Sequence, residues 1–272
     1  MKACKLFRVG EQPVLSDEDA ARTPLCSGDG HAETREDRHL ARSLHKEIAA
    51  LQEKLYAERE RKVLLVLQGV DCAGKDGTVH RLFRKINPMG LRPVRFDVPT
   101  SAETARDFLW RVHLQVPRKG EIAVFNRSHY EDLLHPVVYG QVDNVEIGRR
   151  YAQVRDFERM LAESGTTIVK VFLHISKDEQ RQRLQARIDN PDKHWKFDPE
   201  DLKHREKWSA YASAYEKAIA ETDAPHAPWY IVPADSKPHR DLAVAMLLAE
   251  TLRGMNLAYP PGDPALAKLK VK

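Results

Sequence analysis

Short apolar segments alternate along the chain with longer segments in which apolar residues recur every three or four positions. The short segments predict buried strands, which we place at 63–67, 122–125, 168–175 and 230–232, with a weaker candidate at 94–98. The periodic segments predict helices, which we place at 37–61, 79–86, 105–116, 147–162, 177–188, 199–220 and 237–252. Strands buried on both faces and alternating with helices form a parallel sheet covered on two sides, so the pattern predicts an α/β/α sandwich.

The two ends of the chain do not follow this pattern. Residues 1–35 are rich in Asp, Glu, Gly, Pro and Ser and lack sustained periodicity, which predicts an irregular N-terminal extension that either drapes over the domain or stays mobile. We place one domain at 36–257, since α/β folds of this length commonly keep a single core. Residues 258–272 form a predicted C-terminal tail.

Composition adds limits on location and redox chemistry. No apolar run approaches the ~20 residues needed to cross a bilayer, and the N-terminus lacks the apolar region of a secretory signal, so we expect a soluble cytoplasmic protein. Three cysteines at irregular spacing match neither a disulfide framework nor a zinc site. The formal net charge of +4 is too small to prove a polyanionic partner, so the placement of the basic residues matters more.

The segment 69–78 reads Gly-Val-Asp-Cys-Ala-Gly-Lys-Asp-Gly-Thr and lies between the first predicted strand and a helix. Loop amides and a helix N-terminus both direct partial positive charge at one spot, which suits a phosphate group. The spacing of two glycines followed by lysine is the Walker A pattern. The alternative is a tight glycine turn without a ligand. We assign phosphate binding to the loop residues Gly69, Ala73, Gly74, Lys75, Gly77 and Thr78.

Two acidic residues in this loop bear on metal binding. Asp76 replaces the usual Ser or Thr after the lysine, so one normal magnesium ligand is missing. Asp71 would repel phosphate unless a cation lay between them, which indicates that Asp71 helps to hold magnesium.

The predicted strand at 122–125 ends in Asn-Arg-Ser-His-Tyr-Glu-Asp, at the position of a Walker B motif. Asn126 can orient a water or a metal ligand, and Glu131 and Asp132 can supply negative charge. Arg127 suits a transferring phosphoryl group because its planar donors spread over several oxygens. The alternative for Arg127 is a surface salt bridge with Glu131. His129 fits a structural role better than acid–base catalysis.

A helix at 177–188 places Arg183 and Arg187 one turn apart on one face, where they can bind a phosphate chain. The alternative is a solvated helix whose arginines pair with neighbouring acids. Asn190-Pro191 ends this helix, and a basic, aromatic loop follows, which predicts a lid at about 177–207. Trp110 and Trp195 are candidates for stacking on a base, although aromatic residues at helical spacing more often belong to the core.

These motifs together resemble the family-2 polyphosphate kinases. The resemblance rests on the segments 69–78 and 126–132 and on Glu179-Gln180-x-x-Arg183-x-x-x-Arg187, and it covers roughly residues 37–257. It implies a P-loop kinase-like fold with a helical lid, and phosphoryl transfer between inorganic polyphosphate and nucleotides. Asn126 departs from the Asp seen in much of the family. The subgroup that carries Asn-Arg-Ser-His-Tyr resembles this chain best, and it is associated with phosphorylating both nucleoside mono- and diphosphates.

The resemblance also implies roles for individual residues. Asp71, Lys75, Arg127 and Asn126 become the catalytic candidates. The metal candidates are Asp71, Glu131 and Asp132, and the expected ion is Mg²⁺ with Mn²⁺ as a substitute. The nucleotide site is expected at Arg127, Glu131 and Asp132, with AMP and ADP favoured and GMP and GDP as further acceptors. A homo-oligomer, dimer or tetramer, is expected, and neither nucleic acid nor a membrane is an expected partner.

Three other functions remain open from the residues alone. A nucleoside monophosphate kinase that uses ATP as donor would need the same fold and loop. A P-loop regulatory protein would bind a nucleotide tightly with negligible turnover. A nucleic-acid-binding module ranks last, because the basic residues are dispersed and match no recognised motif.

Overall fold

A five-stranded parallel sheet forms the middle layer of the computed structural model, which describes residues 2–26, 34–264 and 269–271. Its strands are β1 (Lys62–Gln68), β2 (Leu91–Arg95), β3 (Ile122–Asn126), β4 (Thr166–His174) and β5 (Trp229–Pro233). Their order in the sheet is β2-β3-β1-β4-β5, and each neighbouring pair is parallel. The carboxyl ends of all five strands therefore lie at one edge of the sheet.

Helices of the described residues cover the sheet and its carboxyl edge. They are α1 (Ala3–Leu6), α2 (Asp17–Ala20), α3 (Arg35–Glu58), α4 (Lys75–Phe83), α5 (Ser101–Thr104), α6 (Trp110–His113), α7 (Glu131–Val138), α8 (Asn144–Glu163), α9 (Lys177–Ile188), α10 (Glu200–Glu206), α11 (Trp208–Thr222) and α12 (Lys237–Gly254). Short 3₁₀ helices span Pro88–Gly90 and Pro191–Lys196. No helix in the described part of the chain is both long and apolar enough to cross a membrane.

Alternate residues of the central strand enter two separate apolar clusters. Val63 and Leu65 pack in the cluster that includes α3, α4 and α12, while Leu64 and Val66 pack in the cluster formed with α7, α8 and α11. All four side chains are at most 1% exposed. Because side chains alternate across a strand, this division shows that helices cover both faces of the sheet. The predicted α/β/α sandwich is therefore confirmed.

Most predicted elements lie within a few residues of their observed positions, and α9 matches its predicted bounds. The predicted helix at 199–220 is divided at Lys207 into α10 and α11, and the one at 105–116 is reduced to the single turn of α6. The second strand lies three residues before the predicted 94–98. Helix α7 was not predicted, because it follows the polar end of β3 directly and contains Pro136.

The N-terminal segment packs on the domain, which agrees with the draped alternative for residues 2–26. Ala3 and Phe7 are buried in the core, and the Arg8 guanidinium lies 2.6 Å from the Asp223 carboxylate. Helix α3 begins at Arg35 with a capping box at Thr34, so the predicted boundary at residue 35 falls at a helix start. The rest of the extension, 27–33, lies outside the described residues, as do 265–268 of the tail.

Candidate active site

The loop between β1 and α4 leaves a helix N-terminus open at the carboxyl edge of the sheet. Gly74 precedes the helix with φ +102°, and no side chain caps the first turn. The first N–H groups of a helix have no partner within the helix, and the helix dipole adds partial positive charge there. This geometry fits the phosphate-binding role that the sequence predicts for the loop.

Two positions of the loop favour glycine, for different reasons. A Cβ atom at Gly69, where φ is +150°, would lie 2.7 Å from the backbone oxygen of Leu173. A Cβ atom at Gly74 would lie 1.9 Å from Nη1 of Arg240. The backbone of Leu173 leaves no room for a Cβ atom at Gly69, and the φ of +102° strains any other residue at Gly74, so both positions favour glycine.

Lys75 is buried below the loop and is held by its carbonyl groups. Its Nζ donates to the backbone oxygen of Gly69 at 2.6 Å and to that of Val70 at 3.2 Å. Burial, followed by the charge of Arg127, lowers the pKa of the Lys75 ammonium below its ordinary value. The side chain also lines a cavity above the loop, and an anion bound there would favour the charged form of Lys75.

The main cavity has a volume of about 580 Å³ and lies over the loop at 69–78, which we call the phosphate loop. Ten of its lining residues are Lys or Arg and five are Asp or Glu. The basic ones come from separate parts of the chain, among them Arg81, Arg95, Arg187, Lys193, Lys237 and Arg240. Such a wall favours an extended polyanion over an uncharged ligand.

Asp71 links the loop to two cationic groups from other elements. Its two carboxylate oxygens accept hydrogen bonds from Arg127 at 2.6 Å and from Nδ1 of His204 at 2.8 Å. Burial opposes ionisation, but the hydrogen bond from His204 and the charge of Arg127 hold the pKa of Asp71 well below its ordinary value of 3.8. An ionised carboxylate at this position fits a hard divalent cation such as Mg²⁺.

Arg127 has a backbone conformation that the sequence did not reveal. Its φ is +64°, in the left-handed region, and this turn directs the guanidinium back to the phosphate loop. Burial lowers the pKa of Arg127, but the carboxylates of Glu131 and Asp71 raise it above the ordinary value, so the group stays cationic. Arg127 therefore pairs with Asp71, a contact that the sequence did not predict, and both residues line the same cavities.

Asn126 lies beside the loop as predicted, at the end of β3. Its side-chain amide donates to the carboxylate of Asp76, and both residues line the main cavity. The contact joins the strand end to the first turn of α4. Asn126 therefore positions an acidic side chain of the loop in this structure.

The neighbouring acids Glu131 and Asp132 point to different places. Glu131 lines a second cavity of about 70 Å³ together with Asp71 and Arg127. Asp132 instead faces Arg111 at 3.4 Å, and burial raises the pKa of its carboxyl. Consecutive residues of a helix diverge by about 100°. The two carboxylates that the sequence assigned to one metal site therefore point apart, and of the two only Glu131 shares a cavity with Asp71.

Arg183 lines the main cavity, as the predicted phosphate contact requires, but in this structure its hydrogen bonds go to the protein. Its Nε donates to Glu179, and its two Nη atoms donate to the carbonyls of Cys72, Ala73, Ala234 and Asp235 at 2.7 to 3.2 Å. A guanidinium carries five N–H donors, so all of them are engaged by protein acceptors. Arg183 thus joins the phosphate loop to the end of β5.

Of the predicted phosphate-binding residues Arg187 and Thr78, only Arg187 faces the main cavity. The Arg187 guanidinium lines the main cavity and donates to Asp201 at 3.1 Å and to the carbonyl of Lys196 at 3.0 Å. The Thr78 hydroxyl is buried and donates to Asp241 at 3.3 Å, away from the cavity. Arg187 is therefore placed to contact a phosphate, and Thr78 is not.

The lid contributes two residues that the sequence did not single out. Asp201 and His204 of α10 gather with Asp71 so that one ligand atom of each lies within 4.8 Å of the others. Burial, followed by the charge of Asp71, raises the pKa of Asp201 to about 6. The only sequence signal was their i, i+3 spacing, because the partner Asp71 lies far away along the chain.

The small cavity has an aromatic wall that is absent from the large one. Trp208, Tyr211 and Tyr215 of α11 line it, with His135 and His204 beside them. The predicted stacking residues Trp110 and Trp195 are not among the lining residues of either cavity. Asp71 and Arg127 line both cavities, so the two spaces meet at this ion pair.

A buried ion pair supports the segment that carries Arg127 and Glu131. Glu158 accepts from Nζ of Lys170 at 2.6 Å and from the hydroxyl of Tyr130 at 2.8 Å, and it lies 3.2 Å from Nε2 of His129. These side chains are at most 1% exposed. His129 thus has the structural role that the sequence favoured.

Comparison with known proteins identifies relatives over most of the chain. The family model described as Polyphosphate kinase 2 matches residues 31–260. The AMP/ADP-polyphosphate phosphotransferase of Meiothermus ruber is 53% identical over 229 residues, which are 84% of this chain and 86% of that protein. The ADP-polyphosphate phosphotransferase of Rhodopseudomonas palustris is 41% identical over 278 residues, covering 97% of this chain and 94% of that protein.

The fold is also found in a solved structure. The crystal structure of Polyphosphate Kinase 2 from Arthrobacter aurescens TC1 superimposes with a TM-score of 0.93 at 41% sequence identity. The match covers 98% of this chain and 95% of that one. The similarity therefore includes the N-terminal segment as well as the sheet.

Proposed function

This chain belongs to the polyphosphate kinase 2 family and is a polyphosphate-dependent nucleotide phosphotransferase, and from that premise we propose that it phosphorylates both AMP and ADP. Two observations support this acceptor range. The relative from Meiothermus ruber that is named for both AMP and ADP is 53% identical to the chain. Asn126, which the family resemblance of the sequence associates with the subgroup acting on mono- and diphosphates, lies at the cavity beside Asp76.

The meeting of two cavities at Asp71 and Arg127 carries the proposal. Phosphoryl transfer needs a donor and an acceptor whose terminal phosphates approach in line. The large, basic cavity suits the polyphosphate donor, and the small cavity with its aromatic wall suits the nucleotide acceptor. The transferred group would then pass between them at the Asp71–Arg127 pair.

The proposed metal is Mg²⁺, and the proposed ligands are Asp71 and Glu131. Both carry carboxylate oxygens, the donors that Mg²⁺ prefers, and both line the small cavity. When bound, the ion would neutralise phosphate charge and thereby reduce the repulsion between the two anionic substrates. Asp132 is left out of this set because it faces Arg111.

Lys75 and Arg127 have distinct tasks in the proposed mechanism. Lys75 is held at the base of the loop, where its ammonium would bind oxygens of the transferred phosphoryl group. Arg127 would exchange part of its contact with Asp71 for the same oxygens as their charge spreads in the transition state. Neither residue forms a covalent bond, so positioning and charge supply the rate enhancement.

The lid at about 177–207 completes the site in this proposal. His204 of the lid contacts Asp71 of the phosphate loop. Arg187 contacts Asp201 and the carbonyl of Lys196 within the lid. Entry of a metal and a nucleotide would require His204 to leave Asp71. We also propose that residues 36–257 form the catalytic domain, and that the enzyme works as a homo-oligomer.

The test is an assay of the purified protein with polyphosphate and Mg²⁺, with AMP or ADP as acceptor. We expect ADP and ATP from AMP, and ATP from ADP, with no product when polyphosphate is omitted. A matched series with GMP and GDP measures base selectivity. Product formed from AMP with ATP as the sole donor, and none with polyphosphate, would contradict the proposal.

Substitutions at Lys75 and Asp71 test the roles proposed for these two residues. Lys75→Ala is expected to lower kcat about 10²- to 10³-fold, because a donor to the transferred group is lost. Asp71→Asn is expected to raise the Mg²⁺ concentration needed for half-maximal rate. Lys217→Ala is the control, since this exposed lysine pairs with Glu221 on the outside of α11. Full activity of Lys75→Ala would remove the role given to that residue.

A further inference from the structure

Gln68 is a buried amide at the end of β1 that the proposed mechanism does not use. It is the last residue of the strand, directly before Gly69, and it is 0% exposed. It is not among the lining residues of either cavity. Its side chain lies between the end of β3 and the start of α7, where it contacts Ser128 and Glu131. Because buried amides are hydrogen-bonded, these two neighbours decide how the group is oriented.

The orientation of the Gln68 amide follows from the chemistry of its neighbours. One end lies 3.2 Å from Oε1 of Glu131, and an ionised carboxylate only accepts hydrogen bonds. The other end lies 3.2 Å from the backbone N of Ser128, which only donates, and 3.1 Å from the hydroxyl of the same residue. Nε2 of Gln68 therefore donates to Glu131, while Oε1 accepts from Ser128.

Ser128 fixes the acceptor end of this amide. It is 0% exposed, and its carbonyl accepts from the backbone N–H of Glu131 at 3.1 Å. Its hydroxyl also accepts from the backbone N–H of Tyr130 at 3.2 Å. The segment that begins α7 is thus folded around one side chain of β1, and Gln68 cannot turn without losing contacts at both ends of its amide.

The Glu131 carboxylate depends on this single donor. Among the residues that the structure describes, Gln68 is the only one that donates a hydrogen bond to it, and it does so to one of the two oxygens. The other oxygen has no protein partner in the described ranges, and Glu131 lines the small cavity with Asp71. A neutral donor orients a carboxylate without cancelling its charge, which a cationic donor would do. Carboxylates that bind metal ions are commonly held in this way by a second protein group.

Tyr215 of α11 lies against the same end of the amide. Its hydroxyl is 3.4 Å from the end of the Gln68 amide that faces Glu131, and its side chain lines the small cavity. Burial, followed by the charge of Glu131, raises the pKa of Tyr215, so the hydroxyl stays neutral. The hydrogen bond between Gln68 and Glu131 therefore lies in a buried polar network, where such bonds are stronger than in water.

We propose that Gln68 is a positioning residue for phosphoryl transfer. Its neutral hydrogen bond to one oxygen of Glu131 holds that carboxylate at the wall of the small cavity and leaves the other oxygen free for a divalent ion. The inference rests on the proposed function, because it takes Glu131 to act at the small cavity. Gln68 itself acts only through Glu131, so loss of its amide should weaken metal binding and leave binding of the polyphosphate donor unchanged.

Binding of Mn²⁺ alone, measured by electron paramagnetic resonance, tests this without turnover. We expect Gln68→Met to weaken Mn²⁺ binding about tenfold, because methionine nearly keeps the volume of the side chain but cannot donate to Glu131. Gln52→Met is the matched control, since Gln52 is a buried glutamine of α3 that contacts the carbonyl of Asn87 away from both cavities. Equal Mn²⁺ affinities of the two variants would overturn the proposal.

A double-mutant cycle with Glu131→Gln separates positioning from a general structural role. Once Glu131→Gln is in place, Gln68→Met should change Mn²⁺ binding by no more than about twofold, because the carboxylate that it positions is gone. In the kinetic assay, Gln68→Met alone should raise the Mg²⁺ concentration for half-maximal rate about tenfold, with KM for polyphosphate within about twofold. If the full effect of Gln68→Met on Mn²⁺ binding persists beside Glu131→Gln, Gln68 does not act through Glu131.

Exchange of the two side chains tests the contact itself. Gln68→Glu alone brings two carboxylates together in a buried place, which should lower the melting temperature. The double variant Gln68→Glu with Glu131→Gln restores a donor and an acceptor, and the carboxylate at 68 still accepts from Ser128. We expect the double variant to melt at a higher temperature than Gln68→Glu. A double variant that is no more stable than Gln68→Glu would mean that the two side chains do not share this hydrogen bond, and the proposal would fail.

The same experiments separate this inference from the proposed function. If the unaltered protein forms no ATP from polyphosphate and ADP in the presence of Mg²⁺, the proposed function fails. If the unaltered protein is active while Gln68→Met binds Mn²⁺ as tightly as it does, only the positioning role fails.

Discussion

Nδ1 of His204 lies 2.8 Å from a carboxylate oxygen of Asp71, so a residue of the lid occupies the acid that we assign to the metal. The hydrogen bond to Asp71 raises the pKa of His204, which favours the cationic imidazole. Arg127 engages the other carboxylate oxygen at 2.6 Å. A divalent ion must therefore compete with a protein cation for Asp71.

Removing the His204 side chain from Asp71 should increase the affinity of the protein for a divalent metal ion. We expect His204→Ala to bind Mn²⁺ about two- to fivefold more tightly than the unaltered protein in the absence of nucleotide, which is the scale of a partly exposed ion pair. Electron paramagnetic resonance of free Mn²⁺ measures the affinity. His226→Ala, at an exposed position, is the control. Equal affinities for His204→Ala and the control would show that the contact does not compete with the metal.

Arg183 should behave as a structural residue. All five of its donors are engaged, four of them by backbone carbonyls of the phosphate loop and of the segment after β5. Arg183→Lys cannot replace this fork, so we expect a loss of about 2 to 4 kcal/mol in the free energy of unfolding by urea. Arg181→Lys is the matched control, since it is exposed and pairs with Asp178 on the same helix.

The original sequence prediction for Arg183 gives the contrary outcome. If Arg183→Lys keeps its stability and raises KM for polyphosphate, the residue binds phosphate after all.

Gly74→Ala should abolish most of the activity. The methyl group would lie 1.9 Å from Nη1 of Arg240, and the residue has φ +102°. Because a residue with a Cβ atom is strained at this positive φ, we expect the loop to shift and kcat/KM to fall at least about 100-fold. Gly148→Ala, in α8 where no atom lies within 4 Å of the new carbon, should keep full activity. Comparable rates for the two variants would argue against a rigid loop.

The buried pair Lys170–Glu158 should be costly to break on one side. Lys170→Met leaves the Glu158 carboxylate buried without its cation, and we expect a loss of about 3 to 5 kcal/mol in unfolding free energy. The double variant Lys170→Met with Glu158→Gln should recover a measurable part of that loss. Urea denaturation of the four proteins forms a double-mutant cycle, and additive losses would show that the two groups do not interact.

Stability should fall in mild acid because two histidines are buried. Burial lowers the pKa of His174 and of His239 below the ordinary value of 6.5. Each therefore binds fewer protons in the folded than in the unfolded state, so its contribution is complete above 6.5 and is lost as the pH falls through the folded-state pKa.

Urea midpoints at about pH 7.5 and about pH 5.5 measure this effect. We expect His239→Gln to show a smaller difference between the two midpoints than the unaltered protein. Its Nδ1 lies 3.0 Å from the carbonyl of Pro233, and its ring packs edge-on against Phe7. His226→Gln, whose side chain is exposed, should keep the full difference. If His239→Gln shows the same difference between the two midpoints as the unaltered protein, His239 does not contribute to the loss of stability in acid.

Periodicity and apolar runs were sufficient to place most of the sheet and the long helices. Helix α9 has the predicted bounds because Ser176 caps its start and Asn190-Pro191 ends it, and both signals are local. The division of the helix at 199–220 was not visible, because no glycine or proline marks the break at Lys207. Helix α10 instead contacts the phosphate loop through His204 and Asp71, which are distant in sequence.

The phosphate loop, the polar end of β3 and the resemblance to polyphosphate kinases are properties of contiguous residues, and the sequence determined them by itself. The tertiary structure decided which side chains share a space. It brought His204 and Arg240 to the loop from far along the chain, turned Asp132 to Arg111, and engaged every donor of Arg183. Local spacing determines which face of a helix a residue occupies, but the packing of helices on the sheet determines what that face contacts.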